Sequence, residues 1–423
     1  MVTQYMINNE DKFTPYPNGD PNRLDDNHPL LHKITPDTIQ RIIKSLKNNT
    51  PGVSKINKII LQHLSPDSIL ILTKLLNITI SMGYFPDEYK HAKLKLIPKA
   101  NKQTTNPHNH RPISLLEVPG KMFEKIINHR LRNYLETNSL FPTSQHGFRQ
   151  HRSTHTAIAI LTEKLSHTLT TNKIATIVTR DISKAFDKVW HQGLKYKLSL
   201  LNLPDTYVKL LSSFLNNRTA SIAIKTHTGP PIPLLSGVPQ GSNISPTLFT
   251  IYTSDIPPPS PHCTYVTYAD DITQIITQQD NSRNFLARKV EREITKINQY
   301  EHQWKIKTNM NKFAILPVSI TKTKPITINH QRIPYTRKAN ILGLSINSKG
   351  YNNQITNNVV IAKHALYTIK RCSQLTTNIK LHLIKSCVIP LLLYPEYPLT
   401  TLSKHAIRKL QRVQNHALKV CLQ

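Results

Sequence analysis

Apolar positions along the first hundred residues recur at helical spacing and then change period. Ile39, Ile42, Ile43 and Leu46 follow the start signal Thr35-Pro36-Asp37, and Asn49-Thr50-Pro51-Gly52 closes that helix. A second helix carries Ile56, Ile59, Ile60 and Leu64; a third opens at Ser65-Pro66-Asp67, runs apolar through Ile80 and stops near Gly83. From His91 the texture becomes that of strands. Leu94-Lys95-Leu96-Ile97-Pro98-Lys99 is a short strand delivering a lysine, followed by a polar loop over residues 101–109. Residues 121–135 read as a basic amphipathic helix, and an apolar helix is expected from Thr156. Ile174-Ala175-Thr176-Ile177-Val178-Thr179-Arg180 is a strand ending at Asp181, after which Ser183 is expected to open a helix with Ala185, Phe186, Val189 and Trp190 inward. Leu235-Ser236-Gly237-Val238-Pro239-Gln240-Gly241-Ser242 joins a strand to a helix. Two β-branched and aromatic runs, 264–268 and 272–277, then flank Ala269-Asp270-Asp271, which predicts strand, tight turn, strand with two acids at the tip. From Asn353 the chain is helical again. Residues 1–34, rich in Asn, Asp and Pro, are expected to be poorly ordered. Helical and strand periods thus both occur along the chain.

Composition narrows the partners. The 423 residues carry 55 Lys and Arg against 24 acids, a formal net charge of +31. An excess of that size is self-repelling and points to a polyanion, nucleic acid before an anionic membrane surface. Cys263, Cys372, Cys387 and Cys421 lie far apart with no paired spacing, which argues against a disulfide framework or zinc knuckle and fits a reducing compartment. The polar N-terminus is not a signal peptide, and the longest apolar run, residues 387–394, is broken by Pro390 and too short to span a bilayer. The expectation is an intracellular, soluble protein with no membrane partner.

The candidate chemistry centres on Asp270 and Asp271. Adjacent acids repel, so a turn presenting both to one point calls for a counter-charge, most simply a divalent metal; a solvated Asp-Asp turn is the plainer alternative. An Asp ending a strand, as Asp181 does, is also a common N-cap. Only 11 glycines occur, so Gly237 and Gly241 within five residues imply close approach of a backbone or ligand. The loop Gln145-His146-Gly147-Phe148-Arg149-Gln150-His151-Arg152 adds two arginines, each of which alone is more often a solvated surface charge.

In that order, Asp181 with Ala185-Phe186-Asp187, then Gly237-Val238-Pro239-Gln240-Gly241-Ser242, then Tyr268-Ala269-Asp270-Asp271 resemble motifs A, B and C of reverse transcriptases. Leu96-Ile97-Pro98-Lys99, Arg111-Pro112-Ile113-Ser114-Leu115-Leu116 and Gln145-His146-Gly147-Phe148-Arg149 resemble the fingers of the non-LTR (LINE-like) retrotransposon branch, and the opening helices resemble its N-terminal extension. The resemblance implies an α+β fold, a right-hand polymerase. Residues 35–90 would be a helical extension, 91–347 fingers and an antiparallel-sheet palm, and 348–423 a helical thumb. It implies RNA-templated extension of a primer 3′-hydroxyl with dNTPs, by two Mg2+ (Mn2+ as substitute) held by Asp181, Asp270, Asp271 and the Ile182 carbonyl. Lys99, Arg111 and Arg149 would hold the triphosphate, Phe186 would wall off a ribose 2′-hydroxyl, and Gln240 and Gly241 would line the nascent pair. Trp304 through Lys312 resembles motif D, with Lys312 placed to protonate pyrophosphate; Ile341-Leu342-Gly343-Leu344 resembles motif E, a primer-side hairpin. Arg152 and the basic face Lys404, Arg408, Lys409, Arg412 and Lys419 of the last helix, beside Ile407, Leu410 and Leu418, would grip RNA template and DNA primer.

Three positions depart from the family pattern: Ser54 where Asp is usual, Asn243 where an aliphatic residue is, and Phe313 where Thr is. The resemblance leaves no room at either end for an endonuclease, so an element-encoded endonuclease or RNA-binding protein is expected on another chain or stretch, and a ribonucleoprotein in nucleus and cytoplasm follows. The rivals are an RNA-dependent RNA polymerase, which Tyr268-Ala269-Asp270-Asp271 and Phe186 argue against, and an inactive or maturase-like RNA-binding protein, which the three intact carboxylates argue against.

Overall fold

The computed structural model describes residues 28–46, 50–99, 103, 105–171, 173–280, 282–319, 326–328, 331–348, 352–394 and 402–422. The expectations for residues 1–27, for Asn49 and for part of the 101–109 loop lie outside them. Described residues of 1–142, 183–256 and 301–307 form one compact unit, and those of 143–182, 257–300 and 308–423 form another.

The first unit opens with the helical prelude. Pro36–Ser45 is capped by Thr35, whose hydroxyl accepts from the Thr38 N–H, and Ile39 and Ile43 are buried. Asn77 of the Pro66–Ser81 helix fixes the incoming chain by accepting from the Ile34 N–H (2.7 Å) and donating to its carbonyl (2.9 Å). The helix between them is shorter than its apolar spacing predicts. Lys58–Gln62 buries only Leu61, while Ile59 and Ile60 face outward at about half exposure. Five residues make little more than one turn, so a single position can point inward. The strand His91–Pro98 pairs antiparallel with His110–Leu115 and parallel with Thr219–Ile224. The basic amphipathic helix is Val118–Thr137 and buries Met122, Phe123, Ile126, Ile127, Leu131 and Leu135. Phe85 stacks on Phe123 (5.6 Å between ring centroids) and meets Phe214 edge-on (5.1 Å).

The helix expected from Ser183 does not form as such. Lys184 takes φ +53°, which breaks a right-handed run, so a single 3-10 turn, Phe186–Lys188, precedes the helix His191–Ser199. Ala185 and Val189 are buried as expected, whereas Phe186 and Trp190 are half-buried.

The second unit is built on a four-stranded antiparallel sheet in the order Cys263–Tyr268, Asp271–Gln278, Ile174–Asp181, Ala314–Val318. Strand alternation sends Ala175 and Ile177, with Ile275 and Leu316, toward Ile158, Leu161 and Leu165 of the helix Thr154–Thr170. It sends Ile174 and Val178, with Ile276 and Ile315, toward Leu286, Val290 and Ile294 of the helix Arg283–Gln303. The first of these cores continues into the C-terminal helices. The expected hairpin about Leu342 and Gly343 forms between Lys338–Ile341 and Leu344–Asn347, both turn residues having positive φ. The last helix, Lys404–Leu422, buries Ala406, Leu410, Val413, Ala417 and Val420. Ile407 and Leu418, expected beside its basic residues, are exposed.

Candidate active site

Strand pairing brings the acids together. In the sheet register Asp181 lies opposite Asp271, which also pairs with Tyr268 across the hairpin, so Asp270 sits in the two-residue turn beside them. The turn closes through Ala269 at φ +55°, and the Ile182 N–H donates to the Asp270 carbonyl (3.2 Å). Burial first, then the neighbouring Asp270 and Asp181 carboxylates, push the Asp271 carboxyl up to about 6, against the opposing pull of Lys312. Lys312 is anchored here: its Nζ lies 2.6 Å from Asp181 Oδ1, with the lysine side chain 62% exposed and the aspartate 14%. Asn309, which sequence reasoning left without a role, donates its backbone N–H to the Asp181 carbonyl (2.7 Å) and its Nδ2 to Asp181 Oδ2 (3.4 Å). Its only signal was membership of the motif D phrase.

Among the described residues no three His, Cys, Asp or Glu side chains are gathered closely enough to enclose a metal ion. The donor chemistry nonetheless fits a hard divalent cation: three carboxylates on paired strands and their turn, with mutual repulsion that raises Asp271 and one lysine as counter-charge. Ile182, the candidate carbonyl ligand, is buried and bridges to Thr308.

Arg149 is half-buried in the same unit. Arg152 donates Nη1 to the carbonyls of Gln145 (3.1 Å) and Thr143, and so braces its own loop. Lys404, Arg408 and Arg412 stand exposed on the last helix, and Lys409 reaches Thr356 Oγ1 at 3.4 Å.

The first unit carries the other candidates. Lys99 follows the strand His91–Pro98, its N–H donating to the Asn109 carbonyl (2.7 Å), and Arg111 is exposed on the paired strand opposite Ile97. Phe186 stacks on Phe249 with ring centroids 5.3 Å apart and planes 20° from parallel. Gln240 donates Nε2 to Asp187 Oδ1 (2.8 Å), while burial holds the Asp187 carboxyl above its ordinary value. Gly241 has φ +130°, and a Cβ there would come within 2.6 Å of the Ser114 carbonyl oxygen; the Ser114 N–H in turn donates to the Gln240 carbonyl (2.7 Å). At Gly237 (φ +88°) a Cβ would lie 2.7 Å from the Asp187 carbonyl oxygen. The close approach anticipated for these glycines is therefore to backbone, on one side to a strand and on the other to the 3-10 turn.

The family model described as reverse transcriptase (RNA-dependent DNA polymerase) matches residues 97–346, and the chain belongs to that family. It is 27% identical over 416 residues to the probable RNA-directed DNA polymerase from transposon BS of Drosophila melanogaster, covering 91% of this chain and 44% of that protein. It is equally 27% identical over 407 residues to the RNA-directed DNA polymerase from the mobile element jockey of the same fly, covering 92% and 44%. These relatives bear out the expected non-LTR, LINE-like branch. The chain spans less than half the length of the curated relatives it matches. Among solved structures, apo telomerase from Candida tropicalis is similar at a TM-score of 0.46 and 12% identity, covering 79% of this chain and 59% of that one. Dependence on divalent metal is general for the family. Among the described residues no helix is long and apolar enough to cross a membrane.

Proposed function

We propose that the chain is the RNA-directed DNA polymerase of a non-LTR retrotransposon, extending a primer 3′-hydroxyl with dNTPs on an RNA template. The observation that carries the reading is the sheet register that sets Asp181 against Asp271 with Asp270 in the adjoining turn. Asp181, Asp270, Asp271 and the Ile182 carbonyl would hold two Mg2+, with Mn2+ as substitute; bound there, such ions activate the hydroxyl and neutralise the leaving pyrophosphate. The chain's own residues do the rest. Lys312, already paired with Asp181, is the proton donor to the leaving group. Lys99 and Arg111, with Arg149, bind the triphosphate as charge-assisted donors. Phe186, held flat by Phe249, excludes a ribose 2′-hydroxyl, and Gln240, oriented by Asp187, lines the nascent pair beside Gly241.

In this reading residues 35–90 are the N-terminal extension, 91–347 fingers and palm, and 348–423 the thumb, where Lys404, Arg408, Lys409 and Arg412 grip the duplex; Arg152 stiffens the fingers loop as well as facing nucleic acid. An element-encoded endonuclease or RNA-binding protein completes the particle, which works in nucleus and cytoplasm as a ribonucleoprotein.

Primer extension on an RNA template with a DNA primer tests this. Wild type extends with dNTPs, and Asp181→Ala or Asp270→Ala abolishes extension while leaving template affinity within about 3-fold, because charge stabilisation at the leaving group goes and the binding surface stays. An Asp181 variant extending near the wild-type rate removes the metal assignment. A wild-type chain that binds RNA without extending any primer identifies an inactive, maturase-like RNA-binding protein instead.

A further inference from the structure

We infer that Gln145 is a positioning residue that latches the turn carrying Asp270; the inference rests on the polymerase reading above and adds a part to it. The fingers-loop phrase Gln145-His146-Gly147 lies against the catalytic hairpin as a short extra edge. The Thr267 N–H donates to the Ser144 carbonyl (2.9 Å) and the His146 N–H to the Thr267 carbonyl (2.8 Å), a parallel bridge between Gln145 and Thr267. The Gln145 side chain, only 3% exposed, then reaches past the end of the strand. Its Oε1 accepts from the Ala269 N–H (2.9 Å) and the Gly147 N–H (2.8 Å), and its Nε2 donates to the Ala269 carbonyl (3.4 Å). Both backbone groups of Ala269 are thus held by one amide.

Ala269 needs holding. At φ +55° it sits in the left-handed region, which a residue with a Cβ enters at a cost, and it is the residue immediately before Asp270. A hairpin turn free to leave that conformation would swing the Asp270 carboxylate off its position, whereas Asp271 is fixed by strand pairing on both sides. The latch itself is tightly fitted. A Cβ on Gly147 would stand 2.4 Å from the Ala269 nitrogen, so this position takes glycine because the two backbones touch there. Arg152 braces the latch from behind, its Nη1 donating to the Gln145 carbonyl at 3.1 Å. Glutamine is the side chain the site calls for: an acceptor for two N–H groups and a donor for one carbonyl, without a charge beside three carboxylates.

The test uses the full chain and four proteins: wild type, Gln145→Ala, Ala269→Gly and the double variant. In Gln145→Ala, kcat for single-nucleotide addition falls about 10- to 100-fold, the scale of a misplaced catalytic group, while primer–template Kd and the KM for dNTP stay within about 3-fold. Ala269→Gly alone stays near wild type, because glycine occupies the left-handed region freely. On the Gln145→Ala background it restores kcat by about 5-fold, the rate equivalent of the strain it removes. Hydrogen exchange supplies a readout independent of turnover: the peptide over 266–272 loses protection in Gln145→Ala, and that over 174–181 does not. An unchanged kcat, a loss that Ala269→Gly fails to relieve, or unaltered protection over 266–272 each overturns the latch. Should wild type itself fail to polymerise, the polymerase reading falls, and the exchange comparison still decides whether Gln145 holds the turn.

Discussion

At the scale of single residues, the departures from the family pattern find local partners. Ser54 donates its hydroxyl to Glu117, whose Oε1 also accepts the Ser54 N–H at 3.0 Å; an Asp there would set carboxylate against carboxylate. Asn243 donates its N–H to Glu124 (2.7 Å) and its amide to the Lys121 carbonyl (2.8 Å), a pair of bonds of which an aliphatic residue could make only the first. The Phe313 ring lies 5.2 Å from the guanidinium carbon of Arg180, which is buried beside Asp181. His146 gives a pH signature. Burial, with Arg152 and Arg149 nearby, lowers its imidazole to about 4, and its Nδ1 lies 2.8 Å from Thr156 Oγ1. The folded value lies below the unfolded one, so the unfolded chain binds the extra proton; the contribution is present above pH 6.5 and lost as pH falls toward 4. Thermal melts from pH 7 to 4 should therefore drop less steeply for His146→Gln than for wild type, and equal slopes would mean that His146 keeps its proton balance on folding. Phe186→Val should raise ribonucleotide over deoxynucleotide incorporation by about 10-fold or more in kcat/KM, since the smaller wall admits the 2′-hydroxyl. An unchanged ratio places sugar selection on another residue. Asp181, Asp270, Asp271 and Lys312 stood out through the motifs they share with the family, since each alone reads as an N-cap, a turn acid or a surface charge; Gln145 and Asn309 were not legible as partners of the site, because an amide's role depends on which backbone groups it meets in space.

Elements divide in the same way. The hairpin was legible as two β-branched runs about an acidic turn, but its two faces are both buried, so the pattern did not show that Asp270 alone lies in the turn while Asp271 pairs with Tyr268 in the second strand. The turn after Asp181 was not: Ala185, Phe186, Val189 and Trp190 keep helical spacing, yet the Gly237 and Val238 N–H groups take the carbonyls of Val189 (2.8 Å) and Phe186 (2.7 Å) that a helix would have used. Tertiary hydrogen bonds from a loop some fifty residues on decided that element. The final helix was legible as a helix carrying basic residues, but not the face it buries, since its small Ala406 and Ala417 lie inward while Ile407 and Leu418 face out. Its basic residues nevertheless form a separate outer face, with Arg408 and Arg412 one turn apart and exposed. Replacing Arg408, Lys409 and Arg412 with Gln should flatten the dependence of log affinity on log salt by roughly 0.7–0.9 for each phosphate that is no longer neutralised. Processivity should fall with it, while single-nucleotide addition at saturating primer-template stays near wild type. Parallel titrations with equal intercepts would reassign this face to solvent.

For the whole molecule, if the net charge of +31 serves the proposed nucleic-acid binding, affinity should fall log-linearly with salt through counterion release and depend little on sequence, which titrations on several templates would check. The interleaving of the two units has a further consequence, for the chain as it is made. His91 pairs in parallel with Thr219, 128 residues downstream, and the same unit draws in residues up to 307. On a ribosome adding about 5–20 residues per second, the early strand waits roughly 6–25 seconds for its partner. During that interval the edge of His91–Pro98 that Thr219–Ile224 will cover is open, since only its other neighbour, His110–Leu115, is made sooner. Synthesis thus leaves a strand edge uncovered for seconds, a condition that favours off-pathway pairing with other chains until residue 219 and its neighbours have been made.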